Sequence, residues 1–587
     1  MNQFTVREHH GILTTVAMLR YSADHYGDHV ALRIFRDGRY LTVSYRELAE
    51  KVDRFAAGLM RIGVQPNDKV SILGENRPEW AIAYLAVHRA GATCVPLDSL
   101  LKAAEFRHII VDAGVQRVVV SSRFIADILE VREAAGAPTT IISMDDERRD
   151  DVLLMSELME GLLPETWPNV TLDDLAALIY TSGTTGQSKG VMLSQRNIMA
   201  DTAFSSQVIL FGPGDNFLSV LPLHHTFECT GGFLVPLYGG ASITYARSLK
   251  SRDIIDDIRN TGATIMLGVP LLFEKMMQGI QRKLAQAPIA KRAIIGALFG
   301  IEKLGRKSGL ALGGTLFHSL REKAGMLSLR MLISGGAALP PHVAEWFNSL
   351  GFMLFQGYGL TETSPVTNVD RPGMLVPASV GPPIPGVELR IDRPGPDGHG
   401  EICVRGPVVM TGYYQNEEAT RAAIDPEGWF HTGDIGILGD DGRLFISGRM
   451  KNVIVTTAGK NVYPEEVEHH INQSPYVLES LVYGRPLPDT TSEEVHAMVV
   501  PNYEYFDEQG TLRGSSYTTE EIEQVVLREV NLAVSRIADY KRPKTFEIRQ
   551  EEFEKTSTKK IKRFLYKQRE IPVDGRTAGK AKAVKVG

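Results

Sequence analysis

The sequence predicts an α/β fold of stacked, mostly parallel sheets flanked by helices, because short apolar runs alternate with helical patterns over about the first 440 residues. Residues 69–73 have the pattern of a strand, and a helix follows with Asn76 as its cap, Pro78 in its first turn and Gly91 at its end. Residues 92–96 are the next predicted strand, which completes a βαβ pattern. Further strands are predicted at 117–121, 175–181, 264–267, 330–334 and 352–355.

A smaller α+β domain is predicted after about Gly448, where the pattern of the sequence changes. Helices are expected at 464–471 and 519–530, and the second of them opens with a capping box of Thr518 and Glu521. The basic end of the chain, rich in Gly, Ala and Val, is predicted to be disordered. The predicted domains are residues 1–448 and 449–570, followed by a tail at 571–587.

The composition excludes several classes of protein. With 43% apolar and 23% charged residues the chain is globular, and its net charge of −6 gives no support for a nucleic-acid binder. Its three cysteines, Cys94, Cys229 and Cys403, suggest neither a disulfide framework nor a metal cluster. The N-terminus is polar, and no apolar run approaches the ~20 residues of a membrane span. The protein is expected in the cytoplasm, with at most peripheral contact at the inner membrane face.

The most informative motif is residues 180–190, Tyr-Thr-Ser-Gly-Thr-Thr-Gly-Gln-Ser-Lys-Gly, which follow a predicted strand. Its glycines let backbone N–H groups converge on an anion, and its hydroxyls and lysine add donors and positive charge. A polyphosphate ligand is therefore expected, although the Gly-Lys-Ser/Thr of a Walker loop is absent. The alternative is a flexible surface turn. The candidate phosphate-binding residues are Thr181, Ser182, Gly183, Thr184, Thr185, Gly186 and Lys189.

This loop resembles the phosphate loop of the adenylate-forming (ANL) superfamily, which includes acyl-CoA synthetases, luciferases and peptide-synthetase adenylation domains. The resemblance extends from about residue 30 to 565, with the motifs in the family's order. It implies a large N-terminal domain that binds ATP and the acyl group, and a small mobile C-terminal domain. The C-terminal domain would take one orientation for adenylation and another for thioester formation.

Two more motifs are assigned to the nucleotide pocket. Residues 334–338 follow an apolar strand, and their small side chains permit close approach of a flat ring. Residues 356–363 resemble the family's second nucleotide motif, which implies that Tyr358 stacks on adenine, Thr361 binds the α-phosphate and Glu362 holds Mg²⁺. Considered alone, the tyrosine would be an ordinary buried aromatic. The small residues assigned to the pocket are Gly335, Gly336, Ala337, Gly357 and Gly359.

The ribose motif of the family is matched by residues 429–436. The resemblance implies that Asp434 accepts hydrogen bonds from the ribose hydroxyls, with Arg449 as its partner. The alternative is that Gly433 and Asp434 form only a turn and that Arg449 is a solvated charge. Lys451 matches the family's hinge between the two domains.

The C-terminal domain carries two further motifs. Residues 458–468 resemble the loop that lines the thiol channel during thioester formation, which implicates Gly459 and Lys460. Lys560 aligns with the catalytic lysine of adenylation, although the usual proline and glycine of its motif are replaced by Glu554 and Lys559. This version without glycine is similar to that of long-chain acyl-CoA synthetases. An ordinary basic tail is the alternative.

Residues 221–228, Leu-Pro-Leu-His-His-Thr-Phe-Glu, resemble the acyl-pocket motif of the family. His225 aligns with the group that lies against the substrate carboxylate, and His224 is an alternative for that role. The form of the motif is again similar to long-chain synthetases. The sequence leaves medium-chain, cyclic and aromatic acids open as substrates.

Residues 275–330 form a basic, helical stretch with interleaved apolar residues. Such a pattern is compatible with docking on anionic lipid. The alternative is a solvated helix pair that covers the acyl tunnel. The sequence leaves open whether the chain forms a homodimer.

The combined motifs predict a ligase that uses ATP, Mg²⁺ and coenzyme A. It would activate a carboxylic acid, expected to be a fatty acid, to acyl-AMP with release of pyrophosphate, and then form acyl-CoA. The alternatives are a ligase that loads an acyl carrier protein and a non-catalytic nucleotide- or lipid-binding protein on the same fold.

Overall fold

The computed structural model of the protein describes residues 11–182, 188–372, 376, 378–457, 460–487, 492–555, 561–566 and 583–585. Two compact units are present. The first comprises residues up to 389 together with 404–431 and 441–444. The second comprises 390–403, 432–440 and the chain from 445 onward. The predicted domain boundary at residue 448 stays a prediction.

The first unit contains two eight-stranded sheets. The strands of one sheet, in spatial order, are Val366–Val369, Met353–Gly359, Met331–Ser334, Ile265–Gly268, Asn216–Ser219, Ser242–Tyr245, Val30–Arg36 and Arg39–Ser44. Those of the other are Gly412–Tyr413, Ser188–Ser194, Leu175–Ser182, Thr93–Pro96, Lys69–Leu73, Arg117–Val120, Thr140–Ser143 and Val152–Leu154. In both sheets the inner strands are parallel, and antiparallel strands lie towards an edge.

The predicted fold class is confirmed, and the predicted strands lie within a few residues of the observed ones. Arg117–Val120 illustrates the reason, because its valines at 118, 119 and 120 are fully buried, as expected for a parallel strand covered on both faces. The helix after the strand Lys69–Leu73 spans Pro78–Arg89. Its N-cap is Arg77, so the prediction that Asn76 caps it is wrong. The Asn76 amide instead donates hydrogen bonds to residues of a neighbouring loop.

Helices cover the two sheets of the first unit. They are Thr15–Tyr26, Tyr45–Arg61, Pro78–Arg89, Ala103–Ala113, Ile125–Ala135, Met155–Leu158, Gln195–Val208, Val235–Tyr238, Ser251–Thr261, Pro270–Ala285, Ile289–Lys307, Gly313–Leu316, His318–Lys323, Pro341–Ser349 and Glu417–Ala423. Short 3₁₀ turns occur at Ser122–Phe124 and Thr361–Thr363, and a π-helix spans Phe227–Leu234.

Among the described residues, three smaller sheets lie wholly or mainly in the second unit. The strands of the first sheet are Glu388–Asp392, Gly400–Arg405, Phe430–Leu438 and Leu444–Arg449. The second is a hairpin of Ile454–Val455 and Asn461–Val462. The strands of the third are Val477–Pro486, Glu493–Pro501, Thr545–Ile548 and Ala583–Lys585. The helices are Pro464–Ile471, Tyr503–Arg513 and Thr519–Val534, with 3₁₀ turns at Met450–Asn452, Asp539–Lys541 and Arg563–Leu565.

The helices predicted at 464–471 and 519–530 are observed as Pro464–Ile471 and Thr519–Val534, whereas Tyr503–Arg513 was not predicted. The helix Thr519–Val534 begins with the predicted capping box, in which the Thr518 hydroxyl and the Glu521 carboxylate each accept a hydrogen bond from the other residue's backbone N–H. The tail departs from its prediction of disorder at Ala583–Lys585, which pairs with the strand Thr545–Ile548. An open strand edge offers unpaired backbone groups that such a short segment can satisfy. The rest of 571–587 lies outside the described residues.

Within the described ranges, no helix combines the length and the apolar character needed to cross a bilayer.

Candidate active site

The phosphate-loop motif lies at the turn between two antiparallel strands, Leu175–Ser182 and Ser188–Ser194. Thr181 pairs with Lys189, so the two arms of the loop are held in register. Gly190 fixes the close approach of the surrounding strands, because a Cβ there would lie 2.9 Å from a methyl group of Leu178. Gly183, Thr184, Thr185 and Gly186 lie outside the described residues, as does the side chain of Ser182.

Tyr413 connects the lysine of this loop to the predicted Mg²⁺ ligand. Its hydroxyl donates a hydrogen bond to Glu362 Oε1 at 2.9 Å, and Lys189 Nζ lies 4.9 Å from the centroid of its ring. Tyr413 also pairs with Val191 in the second strand of the loop, and the Met410 N–H donates to the Glu362 carbonyl at 2.8 Å. A cation and a carboxylate from distant parts of the sequence therefore converge on one tyrosine.

The hydrogen bond from Tyr413 should orient Glu362 for a metal ion. Burial and the adjacent carboxylate raise the pKa of Tyr413 well above its ordinary value, so the hydroxyl stays protonated as a donor. Hydrogen bonds to charged groups contribute about 1.5–3 kcal/mol. We expect Tyr413→Phe to raise the Mg²⁺ concentration for half-maximal pyrophosphate release about tenfold, the lower end of that range, because the site is partly exposed. The matched control is Tyr414→Phe, and an unchanged Mg²⁺ dependence in Tyr413→Phe would contradict this role.

Steric constraints explain why glycine occupies several positions of the two nucleotide motifs. A Cβ at Gly359 would lie 1.7 Å from the carbonyl oxygen of Pro365, so no side chain can be accommodated there. Gly336 has a φ of +82°, in the left-handed region that favours glycine. Gly335 is buried, and a Cβ there would lie 2.9 Å from the ring of Phe227, whereas Ala337 is exposed. The acyl-pocket and nucleotide motifs therefore touch at Gly335.

The second nucleotide motif ends the strand Met353–Gly359 and continues into the turn Thr361–Thr363. This strand carries Gly357 and Tyr358, and the side chains of Tyr358, Thr361 and Glu362 are each half-buried. The Thr363 hydroxyl donates to the Pro365 carbonyl at 2.6 Å, which holds the turn closed. Groups predicted to face adenine, the α-phosphate and the metal ion are thus presented by one rigid segment.

The ribose motif and its predicted partner lie together in the second unit. Asp434 is buried, and its Oδ1 lies 2.8 Å from Nε of the half-exposed Arg449. The Asp434 N–H donates to the Thr432 hydroxyl at 3.1 Å, and that hydroxyl donates to the Ile402 carbonyl at 2.7 Å. A buried carboxylate is therefore held by a half-exposed arginine. Their role at a ribose stays a prediction.

Lys560 lies outside the described residues, but the chain on both sides of it is anchored within the second unit. Lys555 Nζ forms ion pairs with Glu479 at 2.9 Å and Glu552 at 2.6 Å. On the other side, Arg563 pairs with the buried Glu468. The predicted lysine is thus carried by a short segment with fixed ends.

The moving-loop residues are described only in part. Lys460 is exposed, and its N–H donates to the Thr456 hydroxyl at 3.2 Å at the mouth of a short hairpin, while Gly459 lies outside the described residues. Lys451 is exposed and lies in the turn Met450–Asn452. Its role as a hinge stays a prediction.

The acyl-pocket motif runs into the π-helix Phe227–Leu234, a kind of helix found frequently at functional sites. His224 is buried, and its Nε2 lies 3.3 Å from Asp98 Oδ1. His225 is less buried and lies beside it, with the ring centroids 4.3 Å apart. Asp98, His224 and His225 therefore form one cluster at the start of the acyl-pocket motif, and the role of His225 at the substrate carboxylate stays a prediction.

Sequence reasoning missed two contributors to this site. Tyr413 follows no recognisable motif, and its proximity to Glu362 depends on tertiary structure. Asn76 was expected to cap a helix, yet its amide group donates to the Ser219 hydroxyl at 2.9 Å and the Leu221 carbonyl at 2.6 Å. Its Oδ1 accepts from the Leu223 N–H at 3.0 Å. Asn76 thereby shapes the backbone that leads into the acyl-pocket motif.

The residues present fit a nucleotide with a divalent cation. Glu362 offers a carboxylate oxygen, the ligand type that Mg²⁺ prefers, and Lys189 places positive charge on the other side of Tyr413. Such an arrangement can hold a polyphosphate and stabilise negative charge that develops on it.

Comparisons with known proteins identify the family of the chain. The AMP-binding enzyme family matches residues 19–414, and the AMP-binding enzyme C-terminal domain matches residues 466–560. A peroxisomal long chain acyl-CoA synthetase 7 of Arabidopsis thaliana is 29% identical over 82% of this chain and 71% of its own length. The chloroplastic long-chain-fatty-acid–[acyl-carrier-protein] ligase AEE15 of the same plant is 28% identical over 83% and 76%.

Among solved structures, the ATP-bound MatB from Rhodopseudomonas palustris superposes with a TM-score of 0.74. It is 27% identical, and the match covers 95% of this chain and 99% of that protein. The fold and the phosphate-loop site define a nucleotide-binding enzyme of the adenylate-forming class. The chain belongs to the AMP-binding enzyme family. The predicted family and fold class are therefore confirmed.

Proposed function

We propose that this protein activates a fatty acid to its acyl-adenylate and then transfers the acyl group to coenzyme A. It is an AMP-forming acid–CoA ligase that uses ATP, Mg²⁺ and coenzyme A. The observation that carries the proposal is the convergence of Lys189 and Glu362 on Tyr413 beside the hairpin of the phosphate loop. Membership of the AMP-binding enzyme family supports it.

The proposed residues divide the chemistry of the first half-reaction. A carboxylate is a poor acyl donor, and it becomes a good one when its oxygen attacks the α-phosphorus of ATP and pyrophosphate leaves. The substrate carboxylate would lie against His225, while Lys189 and Thr361 hold the phosphates. Bound at Glu362, Mg²⁺ supplies charge neutralisation for the phosphate oxygens. Lys560 neutralises the charge that accumulates at the phosphorus under attack.

We also propose roles for the residues of the nucleotide and ribose motifs. Tyr358 stacks on adenine above the small residues Gly335 and Gly336, and Asp434 with Arg449 binds the ribose hydroxyls. We further propose domains at 1–448 and 449–570 that rotate about Lys451 between the half-reactions. That rotation would bring Lys460 and its loop to the thiol channel.

A fatty acyl substrate is supported by the apolar surroundings of the acyl motif. Cys229, Phe233 and Leu234 of the π-helix are buried, and Phe227 lies against Gly335. A relative bears the name of a long chain acyl-CoA synthetase. For the cell, we propose a cytoplasmic enzyme that touches the inner membrane face peripherally.

A second candidate function is the loading of an acyl carrier protein. This candidate is supported by the relative AEE15, which bears the name of a long-chain-fatty-acid–[acyl-carrier-protein] ligase. Both functions share the first half-reaction and differ in the thiol acceptor.

A pyrophosphate-release screen tests the proposal directly. Purified protein would be given ATP, Mg²⁺ and acids of increasing chain length, together with ring-containing acids, in the presence of coenzyme A or a phosphopantetheinylated acyl carrier protein. We expect pyrophosphate release to be highest with a straight-chain fatty acid, and acyl-CoA to be the thioester detected by mass spectrometry. Preference for a ring-containing acid would overturn the substrate class, and a thioester on the carrier protein alone would overturn the acceptor.

A further inference from the structure

The helix Ile289–Lys307 has two apolar faces, of which one is packed against the protein. Ile295, Leu298 and Phe299 lie on the inner face and pack on a buried cluster that includes Phe317. The rings of Phe299 and Phe317 are 4.5 Å apart. The inner face is thus packed against the protein.

The outer face of the same helix is apolar and open to solvent. Its large side chains are Ile289, Ile294, Ile301 and Leu304, which are 82%, 61%, 49% and 69% exposed. At helical spacing the residues between them on this face are small, so the band is continuous. These residues are Ala290, Ala293, Ala297 and Gly300, all exposed. Monomeric soluble proteins rarely leave such a contiguous apolar surface uncovered.

Positive charge surrounds the outer face. Between residues 275 and 321 the sequence has nine lysines and arginines and a single acidic residue, Glu302, in a chain whose net charge is −6. That glutamate is buried and paired with Arg306 at 2.6 Å, so it does not offset the exposed charges. Arg292, Lys303 and Lys307 are exposed and border the apolar band.

We propose that the outer face of Ile289–Lys307 docks this protein on an anionic lipid surface. A helix with an apolar face and basic borders lies in the plane of a bilayer, with its apolar side chains among the acyl chains and its cations at the lipid headgroups. A second copy of this chain is the less suitable occupant, because a symmetric contact would bring the same cations against each other. This inference rests on the peripheral membrane contact included in the proposed function and names the surface that makes it, while the catalytic chemistry is independent of it.

Vesicle flotation with the full chain tests the proposal. One set of vesicles is pure phosphatidylcholine, and the other contains about one third phosphatidylglycerol. We expect binding to the anionic set and a marked decrease when salt is raised, since exposed charges are screened. Replacing Arg292, Lys303 and Lys307 together by glutamine should weaken binding at least about tenfold, since each cation near the surface contributes to attraction.

A second variant tests the apolar band. Ile294→Gln, Ile301→Gln and Leu304→Gln combined should remove most of the binding that persists at high salt. The matched control for the cations is Lys51→Gln, Lys250→Gln and Arg252→Gln, three exposed cations outside the helix. The control for the apolar residues is Leu162→Gln, Leu512→Gln and Leu532→Gln, which are exposed elsewhere. Unchanged unfolding temperatures would show that all variants are folded.

Three outcomes would overturn the proposal. They are no binding to anionic vesicles, equal losses in the helix and control variants, and a concentration-dependent dimer that the apolar variant abolishes. Pyrophosphate release with a short, water-soluble acid and no vesicles is measured in parallel. Failure of the enzymatic function would appear in that assay, whereas failure of lipid docking would appear only in flotation.

Discussion

Replacing Lys560 by alanine should abolish adenylation while leaving thioester formation from a preformed acyl-adenylate largely intact. The lysine is proposed to stabilise charge on the phosphorus under attack, a contribution of about 3–4 kcal/mol by analogy with oxyanion donors. The expected loss in ATP–pyrophosphate exchange is therefore two to three orders of magnitude. The second half-reaction, measured by adding synthetic acyl-AMP and coenzyme A, places no such charge on phosphorus.

The neighbouring lysine provides a matched control for this experiment. Lys559→Ala removes the same charge one residue away, and we expect its exchange rate to stay close to that of the wild type. Lys555 and Arg563, on either side of the two lysines, form ion pairs with Glu479 and Glu468. If Lys559→Ala loses exchange and Lys560→Ala does not, the assignment moves to Lys559. If neither does, the motif is an ordinary basic segment.

The fold could be predicted from the sequence because its strands carry strong local signals. Runs such as Arg117–Val120 and Met331–Ser334 are short, largely apolar and buried in parallel sheets. The one wrong cap shows the limit of such signals. Asn76 has the chemistry of a cap, but its amide is used by the loop from Ser219 to Leu223, which no local pattern reveals.

The candidate site was predictable where its residues lie in contiguous motifs. The phosphate loop, the segment from Gly357 to Glu362 and the acyl-pocket motif each occupy one stretch of sequence. Tyr413 could not be found in this way, because it reaches Glu362 through the pairing of its own short strand with the loop strand Ser188–Ser194. A residue that reaches the site only through tertiary structure has no characteristic spacing from the other site residues in the sequence.

Glu228 ends the acyl-pocket motif and should make the protein's stability fall as pH rises. The residue is fully buried in the π-helix, against Gly232, and neither of its carboxylate oxygens has a well-formed hydrogen bond within the described part of the chain. Burial raises the pKa of Glu228 from 4.5 to about 8, and the neighbouring Ser219 hydroxyl acts in the opposite direction. At neutral pH the side chain is therefore a neutral acid in the wall of the proposed acyl pocket.

The sign of the effect follows from proton binding. Between pH 4.5 and about 8 the folded protein keeps a proton on Glu228 that the unfolded chain releases, so stability is fully present below this window and is lost as pH rises through it. Glu228→Gln keeps the size of the side chain and cannot ionise. Relative to the wild type, its free energy of unfolding should rise by at most about 5 kcal/mol across the window, the upper value for one group at 1.36 kcal/mol per pKa unit.

Unfolding temperatures of wild type and Glu228→Gln between pH 5 and 9 measure this difference. We expect the unfolding temperature of Glu228→Gln to rise by several degrees relative to that of the wild type as pH increases. The unfolding temperature of the control Glu418→Gln, at an exposed residue, should change with pH as that of the wild type does. A charge forming in an apolar wall should also raise the wild-type KM for a fatty acid above pH 8, and the glutamine variant should not show that rise. If the unfolding temperatures of wild type and Glu228→Gln change equally with pH, the Glu228 carboxyl is solvated or paired in solution. That result would contradict a neutral acid in the wall of the acyl pocket.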